Sequence, residues 1–414
     1  MVGVLYFVSF MIKRLLLVFW GLGGAGNAQI YADFQTSMGE FTCELNYEKS
    51  PQAVANFMGL ADGTRPWIDP ATGAVRMGVP YYSGVKFHRV IDGFMNQSGS
   101  RNGLGTDGPG YSFRDEVTNG LTHSKAGMLS MANSGVNTNG AQFFITVEAT
   151  SFLDGGYTIF GEVTAGLEVV MAINGVPKTS NSSGELSVPV TPVIIQNITI
   201  RRVGTAANAF DIQAQKLPIC GRVEGALRVT PGVKVDYVMA ATQPAATIVQ
   251  AFRSADLISW SLLKENYQGT GGTGGSGAPE LTMESAPLAP KAFYNVSLVH
   301  YPDALGPAST ANRTLTATFG TDSLTYHFNA QGTGGSFDYH HAGTVTSHTI
   351  ERMWFEPNPW TATWVIVSPG FASIRISGAL DSSTSSLIQG RMSLATWNGL
   401  FWNSPTTGTM SLTK

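Results

Sequence analysis

Apolar and polar residues alternate with a period of two along most of this chain, and two stretches shift to the helical period. Residues 30–46 predict two strands turned at Ser37, Met38 and Gly39. Cys43 alternates there with Phe41 and Leu45, which puts it on the core face. Ser50 and Pro51 then read as an N-cap followed by proline at the first helical position. Val54, Phe57, Leu60 and Ala61 form one apolar helical face, and Gly63 ends the helix. Leu167, Val170 and Met171 predict a second amphipathic helix, closed before Gly175 and Pro177. Between the helices, the Pro, Gly and Asp content of residues 65–83 marks a surface loop. Residues 178–189 read as a polar loop, and the alternation over 193–202 predicts a further strand.

Beyond Val203 the pattern stays β. The run GTAANAF at 204–210 reads as a linker. Residues 211–301 predict a small β-sandwich-like unit, with half-buried strands at FRSADLISW and APKAFYNVSLV around the glycine-rich loop 269–277. Residues 302–414 alternate strongly, through TLTATF, SLTYHF, SFDYHH, TATWVIV, SIRISG, RMSLATW and TMSLTK. That is an antiparallel meander or barrel. Five tryptophans fall in it, at Trp354, Trp360, Trp364, Trp397 and Trp402. Buried, they fill a β core; exposed, they form a platform for a glycan or a cell-surface partner, and the core reading is favoured. His340, His341 and His348 with Asp338 lie in the same alternating segment and read as a solvated strand face, so no metal is expected.

A length of 414 residues leaves room for about three domains. Charged residues are 13% of the chain, and the net charge of −3 gives no electrostatic reason to expect nucleic acid or an anionic membrane. The start of the chain has the pattern of an export signal over residues 1–28. Lys13 and Arg14 precede the apolar run 15–22, and Gly26 and Ala28 supply small residues for cleavage. A start at Met11 would make that signal shorter and more orthodox. The mature chain is therefore expected in the periplasm or outside the cell, with no stable membrane span after cleavage. Cys43 and Cys220, the two cysteines, have neither metal-site nor redox-motif spacing, and a bridge between them is the less favoured reading.

Three blocks carry the chemistry. They are FHRVIDGFMNQSGS at 87–100, LSMANSGVNTNGAQFFITV at 129–147 and FLDGGYTIFGEV at 152–163. One cation, several amides and a set of aromatic residues suit a site that holds an apolar group while hydrogen-bonding the backbone beside it. In order and spacing the blocks resemble the cyclophilin family of peptidyl-prolyl isomerases, over about residues 30–203. The resemblance implies a mainly β fold, an eight-stranded antiparallel barrel capped by two helices, acting without a cofactor on proline-containing polypeptides. It implies Arg89, Gln97 and Asn133 as the catalytic residues. Ile91, Phe94, Met95, Ala132, Gln142, Phe144, Phe152, Leu153 and Tyr157 would bind substrate. Phe143 fits the pattern but can point into the barrel, and His88, adjacent to Arg89, should face the opposite side. Phe152 stands where many members have Trp and Tyr157 where many have His, as in bacterial members, which puts cyclosporin-type affinity in doubt. Ser98 and Ser100 replace the usual Gly and Asp; a positive φ at Ser98 would strain that turn.

Overall fold

In the computed structural model the described residues are 28–135, 137–231, 233–241, 247–268, 280–285, 292–302, 312–319, 321–329, 335–341, 343–349, 352–356, 361–367, 374–383, 387–396 and 406–413. The export-signal segment, the loop 269–277 and the five C-terminal tryptophan side chains lie outside what is described.

Alternation becomes an eight-stranded antiparallel sheet of β1 (Gln29–Thr36), β2 (Gly39–Leu45), β3 (Arg89–Ile91), β4 (Met95–Ser98), β5 (Met128–Met131), β6 (Phe143–Thr146), β7 (Ile159–Ala165) and β8 (Ile195–Val203). The strand order is β8-β1-β2-β7-β5-β6-β4-β3. The sheet curls until its ends meet: Lys86 bridges Ile194, and the Phe87 N–H donates to the Val193 carbonyl at 2.9 Å. Every second side chain turns inward, and aromatic rings fill the space. Phe57, Phe143, Phe160 and Tyr82 are fully or almost fully buried, with Phe57 edge-on to Phe143 at 5.6 Å between centroids. Cys43 is buried in this core as a free thiol, and burial pushes it well above its ordinary range.

Two helices plug the openings. In α1 (Pro51–Asp62), Gly63 takes the left-handed conformation at the C-terminal end, at φ 77°. Its N-terminus differs from the expected cap. The Ser50 hydroxyl donates to the Ile159 carbonyl, while the Glu116 carboxylate accepts the N–H groups of Gln52 and Ala53 at 3.1 and 2.9 Å. A carboxylate from a distant loop thus satisfies the free donors that a local cap would have taken. In α2 (Leu167–Asn174), Val170 and Ile173 are buried, and Asn174 donates to Asn96 inside the barrel.

Three expectations change. Residues 178–189 are not a plain loop but a hairpin of Lys178–Ser180 and Leu186–Pro189. Its turn is built on Asn181, whose Oδ1 accepts the N–H groups of Ser183 and Glu185. Residues 65–83 are not a surface loop: Trp67, Ile68, Tyr81 and Tyr82 are buried, and Trp67 and Ile68 pair with Arg76 and Val75. The linker expected at 204–210 forms a short helix, α3 (Thr205–Ala209), with Ala207 buried and Phe210 packed on Tyr47.

Tyr82 enters the barrel core beside Phe57 and Phe143, Trp67 packs edge-on against Tyr81, and the following unit docks on the same stretch. Strands β9 (Ile219–Arg222), β12 (Thr247–Ser254), β13 (Trp260–Gln268) and β15 (Phe293–His300) form one sheet in the order β9-β15-β12-β13. Strands β10 (Gly225–Thr230), β11 (Lys234–Met239) and β14 (Glu280–Ser285) form another, with Val235, Met239, Val249 and Leu281 packed between the two. This unit lies against residues 65–76. The Asn295 amide donates to the Thr72 carbonyl at 2.8 Å, and Arg65 donates to both Tyr111 and the Pro218 carbonyl. Cys220, Ile248, Val299 and Tyr301 join the barrel's buried cluster, so one core runs across the junction.

The last nine strands, from Thr314–Phe319 to Thr406–Thr413, make a single antiparallel sheet. Within it His341 pairs with Asp322 at 2.8 Å and His327 with Asp338 at 3.5 Å, across neighbouring strands. Among the described residues no helix is long and apolar enough to cross a membrane.

Candidate active site

Antiparallel register puts directly opposed residues on the same face of a sheet. Arg89 lies opposite Gln97, Gln97 opposite Phe144, and Phe144 opposite Ser130. Ile91 lies opposite Met95 in the next row but one. These two rows form the outer face of β3, β4, β6 and β5. The residues between them, Val90, Asn96, Ile145 and Leu129, face the interior. Strand alternation alone therefore collects Arg89, Gln97, Ile91, Met95 and Phe144 on one surface.

That surface has an apolar floor. Met95, Phe144 and Leu153 are buried against one another, with Ile91, Phe94, Ala132 and Tyr157 packed around them. Tyr157 stands edge-on to Phe144 at 5.7 Å, and Phe152, 75% exposed, leans on Phe94 at 5.6 Å as a rim. Beneath Phe144 lies the buried ring of His123, stacked at 5.8 Å. Its Nδ1 is 2.8 Å from Asp154, and a carboxylate there accepts. Nδ1 then carries the proton, and Nε2 accepts from the Ser130 hydroxyl at 3.1 Å. Burial holds the His123 pKa down against the pull of Asp154, so the imidazole is a neutral prop for the floor.

Beside the floor runs a line of amides. Arg89 Nη1 donates to Gln97 Oε1 at 3.3 Å, and Gln97 Nε2 donates to Gln142 Oε1 at 3.0 Å. Gln142 Nε2 in turn reaches the carbonyls of Gly105 and Asp107 at 3.0 and 2.9 Å. Asn133 turns its side chain to Gly156 and to the N–H of Gly135. Ser98 carries no strain, contrary to the concern its sequence raised. It sits in β4, and the positive φ, 91°, belongs to Gly99, where a Cβ would meet the Ala141 carbonyl oxygen at 2.3 Å. Ser100 hydrogen-bonds Asn102 and Asp107, which shapes the loop over the cavity. His88 does not turn to the side opposite Arg89: it borders the same cavity, buried beneath that loop with its Nε2 beside Gly105, while Phe87 takes the barrel interior, and burial lowers the His88 pKa to about 4.

All of the site residues proposed from sequence except Ile91 line one cavity of about 1280 Å³. Ile91 packs against its floor. Sequence reasoning missed several contributors, among them the loop 103–112, which lines the cavity along its length. The 178–189 hairpin forms a wall through Asn181, Ser183 and Val188, and its Glu185 grips Arg89. His123 supports Phe144. Ile248, Gln250 and Tyr301 of the second unit also line the cavity. A polar turn, a lone histidine and a strand nearly 100 residues downstream carry no local signal for such roles.

Comparison with known proteins bears on the same region. Residues 31–203 match the family described as cyclophilin type peptidyl-prolyl cis-trans isomerase/CLD. Peptidyl-prolyl cis-trans isomerase B of Streptomyces anulatus is similar at 42% identity over 174 residues, which cover 42% of this chain and 97% of that protein. Peptidyl-prolyl cis-trans isomerase A of Mycobacterium tuberculosis is 42% identical over 169 residues, 41% of this chain and 91% of that protein. Among solved structures, a cyclophilin type isomerase of Cryptosporidium parvum is 32% identical, covers 42% of this chain and 98% of its own, and has a TM-score of 0.35.

Proposed function

Through residues 31–203 this chain belongs to the cyclophilin-type peptidyl-prolyl cis-trans isomerase family, and on that premise we propose how its groove turns an X-Pro bond. The amide resists rotation by ~18–20 kcal/mol because its C–N bond has partial double-bond character. At the twisted geometry that character is lost, and the prolyl nitrogen becomes pyramidal and basic. A donor aimed at that nitrogen favours the twisted state over both planar ones, which is the condition for catalysis.

Arg89 is the donor. Its guanidinium presents a rigid, planar fork of N–H donors. The pyrrolidine ring sits on Met95, Phe144 and Leu153, with Phe94 and Phe152 at the rim. Gln97 orients Arg89. The backbone of Asn133 and the chain beside Ala132 and Gln142 hold the residue before proline, because rotation requires one end fixed. The observation that carries this reading is the Arg89–Gln97 pair set directly opposite each other beside the Met95–Phe144 floor. Residues 1–28 direct export, and the substrates are unfolded or exposed segments of other exported proteins.

The full chain assayed on an X-Pro peptide tests the function. Rotation that speeds up in proportion to enzyme supports it; a chain that binds the peptide without accelerating rotation makes the groove a binding module. Fractionation of producing cells tests export, and retention in the cytoplasm would refute it.

A further inference from the structure

We propose that Glu185 is a positioning residue for isomerisation, holding the Arg89 guanidinium at the angle from which it donates. The inference rests on the reading of Arg89 as donor. Arg89 Nε donates to Glu185 Oε2 at 2.8 Å and Nη2 to Oε1 at 2.7 Å, a two-pronged carboxylate grip, while Nη1 goes to Gln97. Of the five N–H groups in the fork, these bonds engage three. One remains on each terminal nitrogen. Arg89 borders the cavity, as do Asn181, Ser183 and Val188 of the hairpin, but Glu185 does not. The carboxylate therefore stands behind the guanidinium and leaves the substrate side open.

The hairpin is built to deliver that carboxylate. Asn181 Oδ1 accepts the Glu185 N–H at 3.0 Å and the Ser183 N–H at 3.0 Å, fixing the turn from which Glu185 projects. Hydrogen bonds from Arg89 hold the Glu185 pKa below the ordinary carboxylate range, so it is charged wherever the protein is assayed near neutrality. Two effects then compete. The negative charge softens the field of Arg89, while the grip removes the rotamer freedom of a long side chain. Both partners are about one-third exposed, at 35% each, so solvent weakens the charge effect while the grip's geometry is retained. Orientation wins.

Glu185→Ala and Glu185→Gln in the full chain test this, with kcat and KM on an X-Pro peptide and the exchange rate of the Arg89 Nε–H by NMR. The expected result for Glu185→Ala is a loss of about tenfold in kcat with KM changed less than about twofold, since misaiming a reacting group costs rate more than binding. The Arg89 Nε–H should exchange faster. Glu185→Gln keeps one acceptor and the side-chain volume, and should recover part of the loss. Should the alanine variant melt early, the glutamine variant carries the test alone, with a smaller fall in kcat at unchanged melting temperature. An unchanged or raised kcat, or an Nε–H equally protected in wild type and variants, overturns the proposal. A wild type without activity would instead overturn the reading of Arg89, and the two failures are thereby distinguished.

Discussion

The inner and outer faces of β3, β4 and β6 are cut from the same few residues and do opposite work. Val90, Asn96 and Ile145 face inward and are fully buried. One position away, Arg89, Gln97 and Phe144 face outward, where Arg89 keeps about a third of its side chain in solvent. Phe143 and Phe144 show the contrast at its sharpest. Phe143 meets Phe34, Phe57, Tyr82 and Phe87 in the barrel, while Phe144 is the floor of the groove. On the proposed mechanism stability and chemistry are thus separated by one step along a strand, and each can be perturbed without the other.

The largest effect should come from the inner face. Phe143→Ala leaves a void among four rings and should cost ~3–5 kcal/mol, read as a drop in unfolding free energy by denaturant titration. The fraction that stays folded should still catalyse.

Next is a pH effect set by His88. Its pKa is about 4 in the fold against an ordinary 6.5, because burial penalises the charged ring. As pH falls below 6.5 the unfolded chain takes the proton first, so stability present above pH 6.5 is lost progressively down to about pH 4. Over that window the loss should reach about 3 kcal/mol. Burial lifts the Glu116 pKa from 4.5 to about 7, which works with the opposite sign, since folding then favours its protonated form. The measurement is therefore the difference between wild type and His88→Leu in unfolding free energy at pH 7 and pH 5. The variant should lose less on acidification, and equal losses would contradict the assignment.

The smallest effect belongs to the rim. Phe152→Ala removes a side chain that is 75% exposed and should leave stability within about 0.5 kcal/mol. Because Phe152 leans on Phe94 beside the floor proposed to hold the proline ring, KM for an X-Pro peptide should rise, by about two- to fivefold, an apolar contact of about 0.4–1 kcal/mol.

Much of this was legible because strand alternation reports directly on faces. Once Arg89 is placed outward, Val90 must face away, and Phe143 and Phe144 must part; His88, just outside β3, breaks the rule, because it borders the same cavity as Arg89 while Phe87 takes the interior. Burial by a distant segment was not legible. Proline, glycine and aspartate in 65–83 report turns, yet Tyr82 reaches the barrel core, Trp67 packs on Tyr81, and residues 65–76 meet the second unit. The small residues of 204–210 look like linker, but Arg202 donates to the Ala207 and Phe210 carbonyls and closes α3. Ser50 has the identity of a cap, but Ile159 offers a carbonyl within reach and Glu116 takes its place. Glu185 was hidden for the same reason, as one acid in a polar turn whose partner lies 96 residues earlier. Residues 204–414 announced β structure without announcing a role. Ile248, Gln250 and Tyr301 belong to the cavity wall only because the second unit docks on the barrel.

Arg89→Ala in the full chain, with isomerisation of an X-Pro peptide and melting temperature measured on the same preparation, tests the donor role most directly. A loss of about 10²-fold or more in kcat/KM at unchanged melting temperature is the predicted result. A variant that folds as well as wild type and turns the prolyl bond as fast would show that the groove's fixed charge is not what lowers the barrier.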